Sequence, residues 1–482
     1  MKKSDIGMIG LAVMGENLVL NFESKGFRVS AYDIRSDAVS HFEKGRANGK
    51  NIFCATSLQE LVSSLSKPRK VMMMIRAGNP VDQVIESLLP LLEKGDVIID
   101  GGNSHYPDTL RRMLQVEREG LYFIGTGVSG GEEGALNGPS IMPGGSVKAW
   151  PIVKPVLQAI SAKVEGVACC DWVGSGGAGH FVKMVHNGIE YGDIQIISES
   201  YHLMRDLLQL KAKELHQVYA SWNETELNSY LIEITAEIFS YTDKDGSPLI
   251  DKIQDTAGQK GTGKWTASTA LDEGVPLTLI AESVFARFLS SMKDERVLAA
   301  NTFKKEKPHF KGNKMDFLED IRKALYASKI ISYAQGYDLM RSAALNYQWD
   351  LNYGGIALMW RGGCIIRSSF LGKIKEAYEL NPNLGNLLLD PYFKEKIESL
   401  LPSLRRVISI GVLNGIPLPS MSAAMSYFDG YTTERLPANL LQAQRDFFGA
   451  HTYERIDEPR GKFFHTNWTG KGGDTSSTTY NG

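Results

Sequence analysis

From residue 4 to about residue 175, short apolar runs alternate with longer amphipathic segments. The runs Ile6 to Ile9, Arg28 to Tyr32, Lys70 to Ile75, Val97 to Asp100 and Leu121 to Gly125 are brief, apolar and bounded by turn formers, which predicts strands. Between them Gly15 to Ser24 and Pro80 to Leu92 repeat apolar residues at helical spacing. This rhythm predicts a parallel sheet whose helices form right-handed crossovers. After the glycine-rich stretch Gly174 to Gly179 the pattern turns to long helices with few strand signals, as far as about residue 430. Beyond about residue 435 the pattern is irregular, and from Gly470 it is rich in Gly, Ser and Thr, a composition that by itself predicts disorder. The chain therefore divides into an α/β domain (1–177), an all-α domain (178–434) and a C-terminal tail (435–482).

A length of 482 residues exceeds one ordinary core and agrees with several domains. Lys and Arg number 53 against 55 for Asp and Glu, so no basic excess marks a nucleic-acid or anionic membrane partner. No apolar stretch approaches the roughly 18 residues of a membrane span. Cys54, Cys169, Cys170 and Cys364 show neither metal-ligand spacing nor a disulfide framework, so no metal is expected and a reducing, cytoplasmic compartment is. A small-molecule partner remains.

The first strand runs into Gly10-Leu11-Ala12-Val13-Met14-Gly15, which opens a helix. A small middle residue lets the backbone approach a pyrophosphate, and the helix N-terminus presents N–H groups and a positive dipole end to it. Asp33 follows 18 residues past Gly15 at the end of the second strand. Together these mark a Rossmann-type dinucleotide site, with a ligand-free tight turn as the plainer reading. Asp33 favours a ribose 2′-hydroxyl and hence NAD, whereas Arg35, beyond Ile34, favours the 2′-phosphate of NADP.

His180 to Ser200 predicts a long helix that is apolar on most sides. Lys183, His186, Asn187, Glu190 and Tyr191 fall at i, i+3, i+4, i+7 and i+8, a single polar face. Burying Lys and Glu unpaired costs several kcal/mol, so this face is expected to look into a wet cleft. The alternative is a Lys183–Glu190 network that only braces the helix. Two glycine-rich turns, Asp100 to Ser104 and Gly127 to Gly131, follow predicted strands. Such loops line the crevice of an open α/β sheet and suit a carboxylate, though they also read as plain tight turns.

These residues resemble the 6-phosphogluconate dehydrogenase family over essentially the whole chain. The most specific motifs are Asp100-Gly-Gly-Asn-Ser104, Gly127-Val-Ser-Gly-Gly-Glu-Glu-Gly134, Gly179-His-Phe-Val-Lys-Met-Val-His-Asn-Gly-Ile-Glu-Tyr191, Gly258-Gln-Lys-Gly-Thr-Gly-Lys-Trp265 and Gly449-Ala-His-Thr-Tyr453. The resemblance implies oxidative decarboxylation of 6-phosphogluconate to ribulose 5-phosphate, with Lys183 as general base and Glu190 as general acid. It implies that Asn103, Ser129, Gly130, Gly131, His186 and Asn187 hold the carboxylate and hydroxyl end of the substrate. Tyr191, Lys260, Thr262 and Arg287 fall near its phosphate. Ile75, Arg76, Ala77 and Asn103 join the glycine loop around the cofactor. It further implies a homodimer whose tail enters the partner, so that Arg445 and His451 complete the neighbour's phosphate site and Phe463, Phe464 and Trp468 anchor a segment that composition alone calls disordered.

The chain departs from the family in two places. Most members carry Asn-Arg-Thr or similar for NADP where this chain has Asp33-Ile34-Arg35, and Arg76 replaces a common Lys. NADP is the family default, while Asp33 predicts that NAD is used well. A 3-hydroxy acid dehydrogenase without decarboxylation is the rival enzyme, but it would not need Lys260, Arg287 and Arg445. A non-catalytic binding protein would not need every catalytic position filled by a competent residue.

Overall fold

A computed structural model describes residues 2–304, 306–472 and 475–477. Its compact units are Met1–Ala424 and Met425–Gly482. Among the described residues of the larger unit the strands are β1 (Ile6–Ile9), β2 (Val29–Tyr32), β3 (Ile52–Cys54), β4 (Lys70–Met73), β5 (Val97–Asp100), β6 (Tyr122–Val128), β7 (Ile141–Gly145), β8 (Lys163–Val164), β9 (Val167–Ala168) and β10 (Gly174–Ser175). Eight of these form one sheet in the order β10-β7-β6-β5-β4-β1-β2-β3, and β8 pairs with β9 alone. From β3 to β6 every neighbouring pair is parallel. β7 runs antiparallel to β6, and β10 runs parallel to β7. The strand order reverses between β1 and β4, and the crevice beyond the strand ends at such a switch point is where open sheets bind ligands.

Alternation along the strands builds both layers of the core. Ile6 and Met8 pack with Leu18, Val19 and Phe22 of the helix Val13–Ser24 on one face. Ile9, Val71 and Met73 pack with Ile85 and Leu88 of the helix Asn79–Leu88 on the other. The five predicted strands are present, with β4 ending at Met73 rather than Ile75 and β6 running on to Val128 rather than stopping at Gly125. β3, β7 and β10 lie where the pattern predicts no strand. Ile52-Phe-Cys54 is too short to show a period, and Pro143, Gly144 and Gly145 read as a turn until pairing with β6 overrides local preference.

Beyond β10 the chain enters the helix Ala178–His202, 25 residues long and so about 37 Å at 1.5 Å per residue. The helix Lys314–Tyr347 packs along it and also contacts Pro391–Leu413. Between the first two lies a buried ion pair of Asp193 with Lys329, 1% and 5% exposed.

In the smaller unit a helix, Ala438–Gly449, precedes an antiparallel pairing of Tyr453–Glu454 with Phe463–Phe464. The irregular tail that composition predicts is thus corrected over these residues. Asp446 is fully buried and accepts from Thr466 N–H at 3.0 Å and Trp468 Nε1–H at 2.8 Å, with His465 Nδ1 at 2.9 Å. One carboxylate gathers three later residues, a long-range organisation that composition cannot express. Residues 473, 474 and 478–482 of the stretch predicted to be disordered lie outside the described residues.

Candidate active site

β1 reaches the helix Val13–Ser24 through a three-residue turn, Gly10 to Ala12. Gly10 holds φ at 100°, a region that side chains other than glycine's rarely adopt. A Cβ there would lie 2.4 Å from the Met74 carbonyl oxygen, and one at Gly15 would lie 1.9 Å from the Gly10 carbonyl oxygen. Both glycines are therefore steric requirements of the turn. Ala12, the N-cap, makes no side-chain capping bond, so the first-turn N–H groups and the helix dipole are left for an anion.

A cavity of about 890 Å³ opens over this turn. Of the residues assigned to a cofactor, Gly10, Ala12, Val13, Met14, Gly15, Asp33, Ile75, Arg76, Ala77 and Asn103 line it, together with Lys260 and Thr262 from the substrate set. Met74, Gly101, Gly102, Val128 and Trp265 complete the wall. Three assigned residues do not line it. The side chain of Leu11 is buried, Ile34 is 89% exposed, and Arg35 reaches back to Asp33, its Nε 3.3 Å from Oδ1. Asp33 accepts from Leu11 N–H at 2.8 Å and Arg35 N–H at 2.9 Å. Burial opposes its ionisation, but these N–H donors outweigh burial and hold the carboxyl below the usual carboxylate range. The free helix terminus, the close-approach glycines and an ionised Asp33 fit a nicotinamide dinucleotide.

The loop behind this wall is braced from inside the protein. Ser104 Oγ donates to Asp100 Oδ2 at 2.6 Å, and Gly102 N–H donates to Oδ1 at 3.0 Å. Arg112, wholly buried, donates to Asp82 at 2.7 and 3.0 Å and to the Gly78 carbonyl at 3.0 Å. A buried guanidinium that makes four hydrogen bonds fixes its surroundings, because losing one partner strands a charge.

The helix Ala178–His202 carries Lys183, His186, Asn187, Glu190 and Tyr191 on one face, and four of the five are packed while the Glu190 side chain stays 23% exposed. Lys183 is 5% exposed, His186 0%, Asn187 7% and Tyr191 6%, so the expectation of a wet cleft along the stripe is corrected for these four and holds only at Glu190. What remains beside it is a space of about 10 Å³, room for roughly one water. Asn103, Ser104, His180, Lys183, Met184, Asn187, Thr262 and Trp265 line it. Asn103, Thr262 and Trp265 also line the larger cavity. Lys183 therefore lines a space that shares three wall residues with the nucleotide crevice.

Around it, His186 Nδ1 lies 3.3 Å from Lys183 Nζ, 3.0 Å from Asn187 Oδ1 and 3.9 Å from Glu190 Oε2. Burial pulls the Lys183 ammonium down against the opposing pull of Glu190. Burial likewise pushes the Glu190 carboxyl up, against Lys183 and Arg287. A low-dielectric site thus favours the neutral form of each. Ser129 Oγ lies 3.2 Å from His186 Nε2, and Gly130 and Gly131 turn the chain from β6 into the helix Gly131–Asn137. The Arg287 guanidinium stacks 3.5 Å from the Tyr191 ring centroid. Arg445 and His451 belong to the smaller unit, where Arg445 donates to Gln442 at 3.1 Å and His451 Nδ1 lies 3.0 Å from Ser477 Oγ.

Sequence reasoning passed over two residues here. Trp265 sits inside a quoted motif but received no role, while Cys364, 2.6 Å from His186 Nε2, carries no local signal at all.

Residues 5–174 match the family described as the NAD binding domain of 6-phosphogluconate dehydrogenase, and residues 179–468 match that of its C-terminal domain. The decarboxylating 6-phosphogluconate dehydrogenase of Haemophilus ducreyi is 60% identical over 479 residues, covering 99% of both chains. The Homo sapiens protein of the same name is 59% identical over 483 residues, covering 100% of both. A solved Plasmodium falciparum 6-phosphogluconate dehydrogenase, studied apo, with its cofactor NADP+ and with its substrate 6-phosphogluconate, has a TM-score of 0.93 at 44% identity, covering 96% of this chain and 100% of that one.

The backbone of β6 runs directly against the stem of Lys183. A Cβ on Gly127 would lie 2.2 Å from Lys183 Cβ and 2.5 Å from its Cγ. Gly127→Ala displaces the amine by about 1 Å, so turnover falls about a hundredfold while cofactor affinity stays unchanged; steady-state kinetics beside a cofactor titration reads both.

Proposed function

This chain belongs to the 6-phosphogluconate dehydrogenase family, and on that premise we propose that it oxidises and decarboxylates 6-phosphogluconate to ribulose 5-phosphate and CO2 with Lys183 as general base and Glu190 as general acid. The observation that carries the assignment is the placing of Lys183, buried, in a space that shares wall residues with the nucleotide cavity, with the partly exposed Glu190 two turns on along the same helix face. When bound, the nicotinamide supplies the hydride acceptor. Lys183, as a neutral amine, takes the proton of the C3 hydroxyl while C3 is oxidised to a ketone. The carboxylate is then β to a carbonyl, so the C1–C2 bond breaks, CO2 leaves, and the electron pair runs toward the C3 oxygen, to which Lys183 returns its proton. Glu190, protonated, delivers a proton to carbon while Lys183 takes back the proton of the enediol hydroxyl on C3, which becomes the carbonyl of the product ketose.

Asn103, Ser129, Gly130, Gly131, His186 and Asn187 hold the carboxylate and hydroxyls in this reading, and Tyr191, Lys260, Thr262 and Arg287 receive the phosphate through charge-assisted bonds. Lys183→Ala lowers kcat by about 10²–10⁴-fold, and wild-type turnover in that variant removes the base. The wild-type rate falls in acid as Lys183 gains a proton and in alkali as Glu190 loses one. Glu190→Gln flattens the alkaline limb, which pH profiles of kcat/KM record.

For the cofactor we infer that NAD is used well beside the family's NADP. Asp33 faces the cavity as an anion, accepts from a 2′-hydroxyl and repels a 2′-phosphate. Arg35 is engaged with Asp33 and is largely solvent-exposed. In side-by-side assays kcat/KM for NADP exceeds that for NAD by less than about a hundredfold, and Asp33→Asn moves the ratio toward NADP.

The working unit in this proposal is a cytoplasmic homodimer that exchanges tails, with Arg445 and His451 serving the neighbour's phosphate site. Phe285, Leu289, Leu298 and Phe303 are 58–72% exposed in the larger unit, as are Leu440, Leu441, Phe447 and Phe448 at 57–74% in the smaller. Phe285, Leu289 and Phe303 line one open cavity, and an apolar surface of that kind supports a covered face. The four cysteines are free thiols, which supports a reducing compartment. Among the described residues no helix is long and apolar enough to cross a membrane. Inactive Lys183→Ala and Arg445→Ala proteins, unfolded and refolded together, regain roughly a quarter of wild-type activity if tails are exchanged, since each mixed dimer then holds one intact site. No regain shows that each site is built from one chain.

A further inference from the structure

Cys364 approaches His186 from a distant part of the chain, with Sγ 2.6 Å from Nε2. The hydroxyl of Ser129 reaches the same nitrogen at 3.2 Å. The opposite nitrogen, Nδ1, faces Asn187 Oδ1 and Lys183 Nζ. The imidazole is wholly buried, with Trp360 packed edge-on at a centroid distance of 5.7 Å. Burial and the adjacent Lys183 hold it well below the usual imidazole range, so a single proton is divided between two nitrogens. Burial also pushes the Cys364 thiol up to about 11, so sulfur keeps its hydrogen and can donate it.

We propose that Cys364 is a positioning residue for the base: its S–H donates to His186 Nε2, holds the imidazole in the Nδ1–H tautomer, and so denies the Lys183 ammonium an acceptor. In that tautomer Nδ1–H donates to Asn187 Oδ1. A Lys183 ammonium then meets a donor with its own donors, whereas a neutral amine presents a lone pair. Without the thiol the proton moves to Nε2, where Ser129 Oγ accepts it, and Nδ1 becomes an acceptor that stabilises the ammonium. The other ionisable groups facing this cluster are Glu190 and Asp193 on the same helix, Arg287 across from it, and Tyr333 of the helix Lys314–Tyr347. Their charges are identical in both tautomers.

The inference rests on Lys183 as the base, so Lys183→Ala is assayed beside it. In the full-length enzyme, Cys364→Ala moves the acid limb of kcat/KM upward by about half a pH unit, a threefold loss in acid with little change in alkali and an unchanged KM for the cofactor. Cys364→Ser, which keeps a donor, follows the wild type. An acid limb that stays in place in Cys364→Ala, or a serine variant that behaves like alanine, overturns the proposal. Nitrogen-15 spectra of histidine-labelled wild-type protein, assigned against His186→Gln, show Nδ1 protonated; protonation at Nε2 overturns it whatever the variants do. A dead Lys183→Ala with a wild-type profile in Cys364→Ala rejects the thiol's role alone, and an active Lys183→Ala rejects the base.

Discussion

Lys183 carries its amine on a helix whose neighbours leave it 5% exposed, and moving an ammonium from water into such surroundings costs several kcal/mol. Little of that cost is returned by a paired anion, since Glu190 is itself pushed toward its neutral form by the same burial. Burial thereby shifts each group toward its neutral form. That shift favours an amine that takes a proton and a carboxyl that gives one. The surrounding packing serves this state: the backbone of β6 passes so close to the Lys183 stem that only glycine fits at position 127.

The α/β layer meets that requirement from the other side. Its switch point between β1 and β4 places a helix terminus and two close-approach glycines over a cavity that ends on Asn103, Thr262 and Trp265. These three residues also line the small space beside Lys183. The loop that carries Asn103 is held by Asp100 and Ser104, with the buried Arg112 behind them. Rigid support of this kind keeps a reacting geometry within the tolerance that catalysis demands.

Asp33 shows how one position can serve folding and recognition together. Its carboxylate is tied to the glycine turn through Leu11 N–H and to the next turn through Arg35 N–H. It therefore shapes the pocket and gives the pocket its charge. Arg35, which sequence spacing sets beside the cofactor, is recruited by that same carboxylate, and Ile34 between them points to solvent.

Local pattern was enough to read β1, the turn from Gly10 to Gly15, the strand ending at Asp33, and the five-residue polar face of the long helix, because each is written in neighbours a few residues apart. The family motifs are equally local, and they carried the activity. Periodicity reports which residues share a face but not what lies against it, so the stripe read as exposed although β6 and the helices around it bury it. For the same reason the β7 strand was hidden behind Pro143, the tail helix behind its composition, and Cys364 behind 178 residues of intervening chain. Chain neighbours set secondary structure; burial, pKa and the company each side chain keeps depend on long-range contacts that exist only once the chain has closed on itself.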